Sequence, residues 1–176
     1  MPYNSYVRLR QVCFATLDIR KDETALSRIL GLKPCHTSIL DHFGLENSMF
    51  AVNGTFIELV APTRENTAVH RFLEKNQGVG GYMAIFDCDD VSLRKAAGKK
   101  LGIHPVFERS DGSADLLQLN PKQTGATLLE FDHHRNGEDL LGHYEWAGEN
   151  WKKGVNTDLT RDMVSVTMIC ADPKSR

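Results

Sequence analysis

Two carboxylates and one amide lie within segments whose apolar patterns predict β-strands. Glu58 and Glu130 each stand in the middle of an apolar run, and Gln11 lies on the strand face that it shares with Cys13 and Ala15. A carboxylate buried alone in a sheet is costly, so each needs compensation by a metal ion, a basic group, or the other carboxylate through a shared proton. A structural alternative stays open, in which both carboxylates bond to Gln11, Arg or Tyr side chains in a filled interior.

Other chemically capable residues are less well placed by their spacing. The tail carries His133, His134 and His143, but adjacent histidines on a strand point to opposite faces and therefore converge poorly. The four cysteines are scattered and form no C-x-x-C pair. Cys13 and Cys88 lie in strand-like runs, where a cysteine is usually a small buried apolar residue. We therefore expect neither group to form the site.

Composition limits the classes of partner. The chain has 176 residues, 41% of them apolar and 25% charged, with a net charge of −2. This balance supplies no broad basic surface, so nucleic acid and membrane are not expected partners and a small molecule is. No apolar run has the length of a bilayer span, and the first ten residues lack the apolar core of a signal peptide. We expect a cytoplasmic protein.

The chain contains an internal repeat. Val12 to Pro34 aligns without a gap on Met83 to Pro105, a shift of 71 residues with five identical positions. The identities fall at a loop, on a helix face and at a helix end, where a repeated βαβ unit needs particular residues. They are Asp18/Asp89, Ala25/Ala96, Leu30/Leu101, Gly31/Gly102 and Pro34/Pro105. We therefore predict two copies of one module.

Each module has the pattern of a strand, a helix and three further strands. The predicted strands of the first copy are 9–16, 35–40, 47–52 and 55–60, and those of the second are 82–88, 106–109, 116–119 and 127–132. Asp18 or Asp22 can cap the first helix and Ser92 the second, while Gly31 and Gly102 end them. A connector helix follows an Asn66 or Thr67 cap. The expected fold class is α+β, with two paired βαβββ modules that form a curved mixed sheet around a cleft.

Residues 1–132 are expected to form this domain, with modules at about 9–62 and 82–132, a connector at 63–81 and an extension at 133–176. Trp146 and Trp151 in the extension are expected to pack on the modules or on a partner subunit, because burial of their large apolar rings is favourable. The stretch Ser165 to Pro173 resembles another first strand. It would complete a sheet edge, pair with a neighbour, or begin a further module.

Three segments carry a resemblance to a known superfamily. With the two βαβββ modules, the segments FIELVAP, YMAIFDCDDV and NPKQTGATLLEF resemble the vicinal oxygen chelate superfamily, which includes glyoxalase I, methylmalonyl-CoA epimerase, extradiol dioxygenases and bleomycin-resistance proteins. The third segment is similar to the H-P-K-D-x-G-G-x-L-x-E motif of the epimerases and their relatives. Asn120 stands here in place of the His and Gln123 in place of the Asp. The resemblance covers about residues 9–132.

The resemblance implies a cleft in which four inward side chains hold a divalent metal. Its positions correspond to Gln11, Glu58, Met83 and Glu130, where glyoxalase I of the eukaryotic kind has Gln, Glu, His and Glu. The implied metal ligands are Gln11, Glu58 and Glu130, and the ion would be Zn, Ni, Co, Mn or Fe. Met83 is the exception, because a thioether is a soft, weak ligand that does not replace an imidazole.

The register of the fourth position depends on how residues are counted. Counting back from the Asp-Asp turn gives Met83, whereas the ungapped repeat gives Tyr82. We favour Met83, because a segment leading into a helix readily absorbs a one-residue change. Met83, Phe56 and Tyr82 are the expected apolar wall of the substrate cleft. Four further residues face the cleft in one of two registers of their short strands: His36, Glu46, Asn47 and Arg109.

Two functions follow. The first is a divalent-metal-assisted lyase or isomerase acting on a substrate with vicinal oxygens, in which Glu130 or Glu58 moves a proton on the carbon between them. The alternative is a metal-free small-molecule binding protein of the resistance type with a degenerate metal site. Extradiol dioxygenase activity needs a site of two histidines and one carboxylate, and Gln11 and Met83 are not histidines. A homodimer is expected from the resemblance.

Overall fold

A computed structural model describes residues 5–125, 127–169 and 172. The chain divides into two compact units. The first unit comprises Gln11–Tyr82 and Trp146–Val164, and the second comprises residues 5–10 and 83–145 with the described part of 165–176. The repeated modules form the main parts of the two units.

The first unit contains a four-stranded mixed sheet. Its strands are in the order β2-β3-β4-β1, with β1 parallel to β4 and the other neighbours antiparallel. The elements of the first module are β1 (Val7–Thr16), α1 (Ile19–Leu30), β2 (His36–Leu40), β3 (Leu45–Val52), β4 (Thr55–Pro62) and the connector helix α2 (Ala68–Lys75). Residues 7–10 of β1 belong to the second unit.

Helix α1 begins and ends as its sequence predicts. Asp18 Oδ1 accepts a hydrogen bond from the Lys21 backbone N–H at 3.0 Å, and Gly31 adopts a left-handed φ of 69° at the end. The helix packs on β3 and β4, on the same sheet face as Val12 and Phe14. Its core contains Ile19, Leu32, Phe50, Val52, Leu59 and Ala61. Phe14 is 40% exposed, so β3 and β4 supply more of this core than β1 does.

The second unit repeats the sheet. The order is β5-β8-β7-β6, with β5 parallel to β8 and the other neighbours antiparallel. The elements are β5 (Val79–Cys88), α3 (Val91–Lys100), β6 (Pro105–Ser110), β7 (Ala114–Leu119), α4 (Pro121–Thr124) and β8 (Leu128–His134). The α+β class and the two βαβββ modules predicted from the sequence are confirmed.

The two copies differ by one residue in register. Asp90 caps α3, accepting the Ser92 N–H at 2.7 Å, so the prediction of a Ser92 cap was wrong. The caps Asp18 and Asp90 are 72 residues apart, whereas the glycines after the two helices, Gly31 and Gly102, are 71 apart. The segment between cap and glycine is therefore one residue shorter in the second copy.

The extension contains two short 3₁₀ helices, Glu145–Ala147 and Trp151–Gly154. Trp151 is 2% exposed and packs on the first unit, as expected for a tryptophan in the tail. The predicted strand at 165–173 lies partly outside the described residues, and its described stretch 165–169 has no regular secondary structure. Within the described part of the chain, no helix combines the length and apolar character needed to cross a membrane.

Candidate functional site

Glu58 occupies a buried position at the centre of the first sheet. It pairs with Cys13 of β1 and with Met49 of β3, and its side chain is on the face opposite α1. Gln11 and Phe56 share this face, because they pair with each other and lie two residues from Cys13 and Glu58. Glu58 is 7% exposed. We call this surface the Glu58 face.

Neutral side chains surround the Glu58 carboxylate. Its Oε2 accepts a hydrogen bond from Gln11 Nε2 at 2.8 Å, and its Oε1 accepts one from Asn47 Nδ2 at 2.7 Å. Cys13 adds a further side-chain hydrogen bond. Among the described residues, no ion pair involves Glu58. The structure therefore compensates this carboxylate with dipoles and no basic group.

Ser38 fixes the orientation of Asn47. The Ser38 backbone N–H and hydroxyl both donate to Asn47 Oδ1, each at 2.8 Å. A backbone N–H can only donate, so the atom that faces it must be the amide oxygen. The Asn47 NH₂ group is consequently aimed at Glu58, and Oε1 of Glu58 always meets a donor.

Burial raises the pKa of Glu58 above the ordinary value of a glutamate. The hydrogen bonds from Asn47, Cys13 and Gln11 act in the opposite direction and offset only part of that rise. A carboxyl group with a raised pKa exchanges protons closer to neutral pH, which is the property that general acid-base catalysis requires.

Glu130 has a similar environment in the second unit. It is 3% exposed and pairs with Ile85 of β5 and Gln118 of β7. Gln118 Nε2 donates to Glu130 Oε2 at 2.6 Å. Each module thus holds one buried glutamate in its last strand with an amide donor from the neighbouring antiparallel strand.

Strand pairing identifies the counterpart of Gln11. In the first sheet, Gln11 pairs with the residue two before Glu58, and in the second sheet Met83 pairs with Leu128, two before Glu130. Met83 therefore lies on the face of Glu130. Tyr82, one residue earlier, points to the other face, and its ring packs on Phe72 of α2 with centroids 5.1 Å apart. The inclusion of Tyr82 in the same apolar wall as Met83 was wrong.

Three of the residues left open by short-strand register are now placed. Asn47 lies on the Glu58 face, where it is a direct partner of the carboxylate. Glu46 points to the opposite face and forms an ion pair with Arg20 of α1 at 3.4 Å. His36 is on the Glu58 face, because it pairs with Met49, which pairs with Glu58. The Ser38–Asn47 contact was missed from sequence because it depends on the pairing of β2 with β3.

The residues of the first unit do not fit a divalent metal in their present arrangement. Gln11 presents its amide nitrogen, a donor, to Glu58, so a cation bound to oxygens of both would require that amide to turn and its hydrogen bond to break. Both oxygens of Glu58 already accept N–H groups. Within the described residues, no three His, Cys, Asp or Glu side chains are grouped to hold a metal. In the second unit, Met83 stands at the position that corresponds to Gln11 and offers only a thioether.

The histidines of the tail do not form a site either. His133 and His134 point to opposite faces of β8, and His133 Nδ1 lies 3.0 Å from the carbonyl oxygen of Cys88. His134 is buried, and its ring packs on Tyr144 with centroids 4.7 Å apart. The Glu145 backbone N–H donates to His134 Nδ1 at 3.4 Å, so this ring is held neutral.

A second set of polar contacts joins the two arginines of β1 to Asp87 and to the backbone of the extension. Arg8 donates to Asp87 Oδ2 at 2.7 Å and to the carbonyl oxygen of Glu138 at 2.8 Å. Arg10 donates to the carbonyl oxygen of Leu140 at 2.6 Å. These contacts explain why two arginines are among the last residues before Gln11, a feature that the sequence pattern did not indicate.

Comparison with known proteins gives relatives that include two methylmalonyl-CoA epimerases. The chain is 25% identical over 128 residues to the human mitochondrial methylmalonyl-CoA epimerase, matching 71% of this chain and 73% of that protein. The mouse enzyme is 24% identical over 128 residues. An uncharacterized Bacillus subtilis protein, YqjC, is 22% identical over 138 residues and is matched over 99% of its length. No protein-family model matches the chain.

Solved structures give the same result. The methylmalonyl-CoA epimerase of Mycobacterium tuberculosis superimposes with a TM-score of 0.66 at 25% identity, over 77% of this chain and 93% of that one. A methylmalonyl-CoA epimerase solved with methylmalonyl-CoA and NH₄⁺ has a TM-score of 0.63 at 23% identity, over 73% and 94%. The chain therefore has the fold of these epimerases, which belong to the vicinal oxygen chelate superfamily.

Proposed function

We propose that the protein is an isomerase-type enzyme that moves a proton on the carbon next to the carbonyl of a small acyl-CoA thioester. The observation that carries the proposal is the buried Glu58 carboxyl, held by Gln11 and Asn47 with a raised pKa. Support comes from the similarity to methylmalonyl-CoA epimerases, one of which is solved with methylmalonyl-CoA. Glu130 is the matching glutamate of the second module.

The reaction consists of two proton transfers. The base removes the proton of the α-carbon, the C–H electron pair becomes part of an enolate, and the proton moves to a carboxylate oxygen. A carboxylic acid then returns a proton to the opposite face of the same carbon, so that configuration inverts and no atom is gained or lost. General acid-base groups of this kind contribute roughly 10²- to 10⁴-fold to a rate.

The neutral amides around the carboxylates suit such a step. Side-chain N–H donors stabilise the ionised carboxylate of the glutamate. Because they carry no full charge, they do not hold that carboxylate permanently ionised. Gln11 and Asn47 provide these donors in the first unit, and Gln118 provides one in the second. The metal-assisted form of the reaction expected from the resemblance is not adopted, because Gln11 directs its nitrogen to Glu58.

The test is exchange of the α-proton. Methylmalonyl-CoA of one configuration is incubated with the protein in D₂O, and deuterium incorporation and loss of configuration are followed by NMR. Wild type is expected to catalyse both, and Glu58→Gln is expected to lose about 10²-fold or more of the rate. Glu46→Gln, which changes a glutamate on the opposite face of the sheet, is the matched control. Wild type without exchange above the buffer rate would refute the proposal.

A second candidate is a metal-free binding protein of the same fold. It is favoured by the apolar surroundings of Glu58, where Met49 and Phe56 are fully buried. In that case Glu58→Gln would still bind the thioester and wild type would exchange no α-proton. The homodimer expected from the resemblance stays a prediction.

A further inference from the structure

The C-terminal extension returns to the first unit and covers one end of the Glu58 face. We call residues 146–154 the C-terminal strap. Its 3₁₀ helix Trp151–Gly154 contacts β3, and the Trp151 ring meets the Phe56 ring edge-on with centroids 5.1 Å apart. Phe56 is on the same face of β4 as Glu58, two residues away, and is fully buried. Phe56 therefore lies about 7 Å along the strand from Glu58, and the indole contacts the Phe56 ring.

The strap fits closely against the beginning of β2. A Cβ added to Gly154 would lie 2.6 Å from Cys35 Cβ, so the strap backbone passes directly over Cys35. Gly148 has a φ of +71°, and a Cβ there would lie 3.1 Å from His36 Nδ1. Burial under this segment is consistent with a pKa of the Cys35 thiol raised to about 11.

The chain that follows the strap is held at the end of α1. Thr160 Oγ1 donates to the carbonyl oxygen of Leu30 at 2.8 Å. The Leu159 side chain lies over Gly31, 3.1 Å from the position of an added Cβ. The strap is thus fixed on both sides of Trp151, at β2 and at α1, and holds the indole in one place.

We propose that Trp151 is the specificity-determining residue of the Glu58 site, because its indole fills the space beside Phe56 into which a longer acyl chain would extend. This inference rests on the proposed function. The ligand class that fits is a thioester with a short acyl group. Each additional methylene that finds apolar space is worth about fourfold in affinity, so removing the indole changes preference by a measurable factor.

The test compares the affinities of propionyl-CoA and hexanoyl-CoA, measured by calorimetry, for wild type, Trp151→Ala and Trp151→Phe. Trp151→Ala is expected to bind hexanoyl-CoA at least about tenfold tighter than wild type does, with propionyl-CoA changed by less than about threefold. The affinity of Trp151→Phe for hexanoyl-CoA should fall between those of wild type and Trp151→Ala. Lys153→Ala, an exposed change on the same strap, should behave as wild type. An unchanged ratio of the two affinities in folded Trp151→Ala would overturn the proposal.

A second pair of variants leaves the indole intact. Gly154→Ala places a methyl group against Cys35 and should displace the strap, shifting the chain-length preference in the same direction. Adding Cys35→Gly removes the opposing Cβ and should restore the wild-type preference. A Gly154→Ala protein with wild-type preference would contradict a strap that limits the site.

The outcomes for the two proposals are separable. Wild type that binds the thioesters without exchanging their α-protons refutes the reaction proposed above, and the affinity ratios still decide the role of Trp151. Failure of wild type and all variants to bind either thioester overturns the specificity proposal together with the ligand class. An α-exchange activity with identical chain-length preference in wild type and Trp151→Ala overturns the role of Trp151 alone.

Discussion

Asn47 donates a 2.7 Å hydrogen bond to Glu58, and it cannot do otherwise while Ser38 holds its oxygen. Asn47 is 6% exposed, so its amide has little access to water as an alternative partner. The pair therefore behaves as one fixed unit in which the asparagine decides how the glutamate is oriented.

Asn47→Asp tests this unit. The new carboxylate would face Glu58 and would have no donor to offer, and we expect the free energy of unfolding at pH 7 to fall by about 3 kcal/mol. Urea denaturation measures the change. Adding Glu58→Gln restores a donor to the pair and should recover most of the loss. Equal losses in the single and double variants would show that the two side chains are not coupled.

The pH dependence of stability tests His134. Burial, then the charges of Arg10, His143 and His133, lower its pKa to about 3. The pKa of His134 is lower in the folded state than in the unfolded state. The neutral ring therefore contributes its full stabilisation to the folded state above about pH 6.5, and this stabilisation is lost as the pH falls toward 3. Between pH 7 and pH 5 the loss is about 2 kcal/mol.

The measurement compares urea unfolding of wild type and His134→Gln at the two pH values. Wild type should lose about 2 kcal/mol more than the variant, which cannot titrate at this position. Glu58 and Asp87, whose raised pKa values act in the opposite direction, are present in both proteins and cancel. Parallel losses in the two proteins would refute the role of His134.

Arg8 compensates the buried Asp87. The Asp87 side chain is 1% exposed, and burial raises its pKa while Arg8 lowers it. Arg8→Ala is expected to cost about 3 kcal/mol, the lower end for a broken buried pair, because Arg8 itself is 25% exposed. Asp87→Asn in the Arg8→Ala background should recover part of that loss in thermal or urea unfolding. An Arg8→Ala protein as stable as wild type would contradict a structural role for the Arg8–Asp87 pair.

Divalent metals should not stabilise the protein. A ligand at 100 times its dissociation constant adds about 2.7 kcal/mol, which raises Tm by about 5–10 °C in a chain of this size. We expect Zn²⁺ or Mn²⁺ at 100 μM to shift Tm by less than about 1 °C, because Gln11 directs a donor to Glu58. A metal-dependent rise of several degrees that disappears in Glu58→Gln would show that the amide turns to accept an ion.

The architecture could be predicted from sequence because its signals are local. The alternation of β-strands, the Asp18 cap and the left-handed Gly31 each depend on a few neighbouring residues. The modules, the burial of Cys13 and Cys88, and the packing of Trp151 on the protein were all predicted and are confirmed.

The environment of Glu58 could be predicted only in part. That the carboxylate is buried and bonds to Gln11 follows from strand alternation and was among the alternatives stated. The Ser38–Asn47 contact depends on how two short strands pair, and one residue of slip would turn Asn47 to the other face. The contact of Trp151 with Phe56 joins residues 95 positions apart, and no periodicity specifies such a pair.

The return of the strap to the first unit has a consequence for synthesis. Residues 11–82 leave the ribosome before the second module and long before Trp151, so the first module must begin to fold with Phe56 uncovered. The indole can dock only after Trp151 has also been made. A nascent chain stalled after β8 would therefore present an apolar surface to chaperones on the module that was translated first.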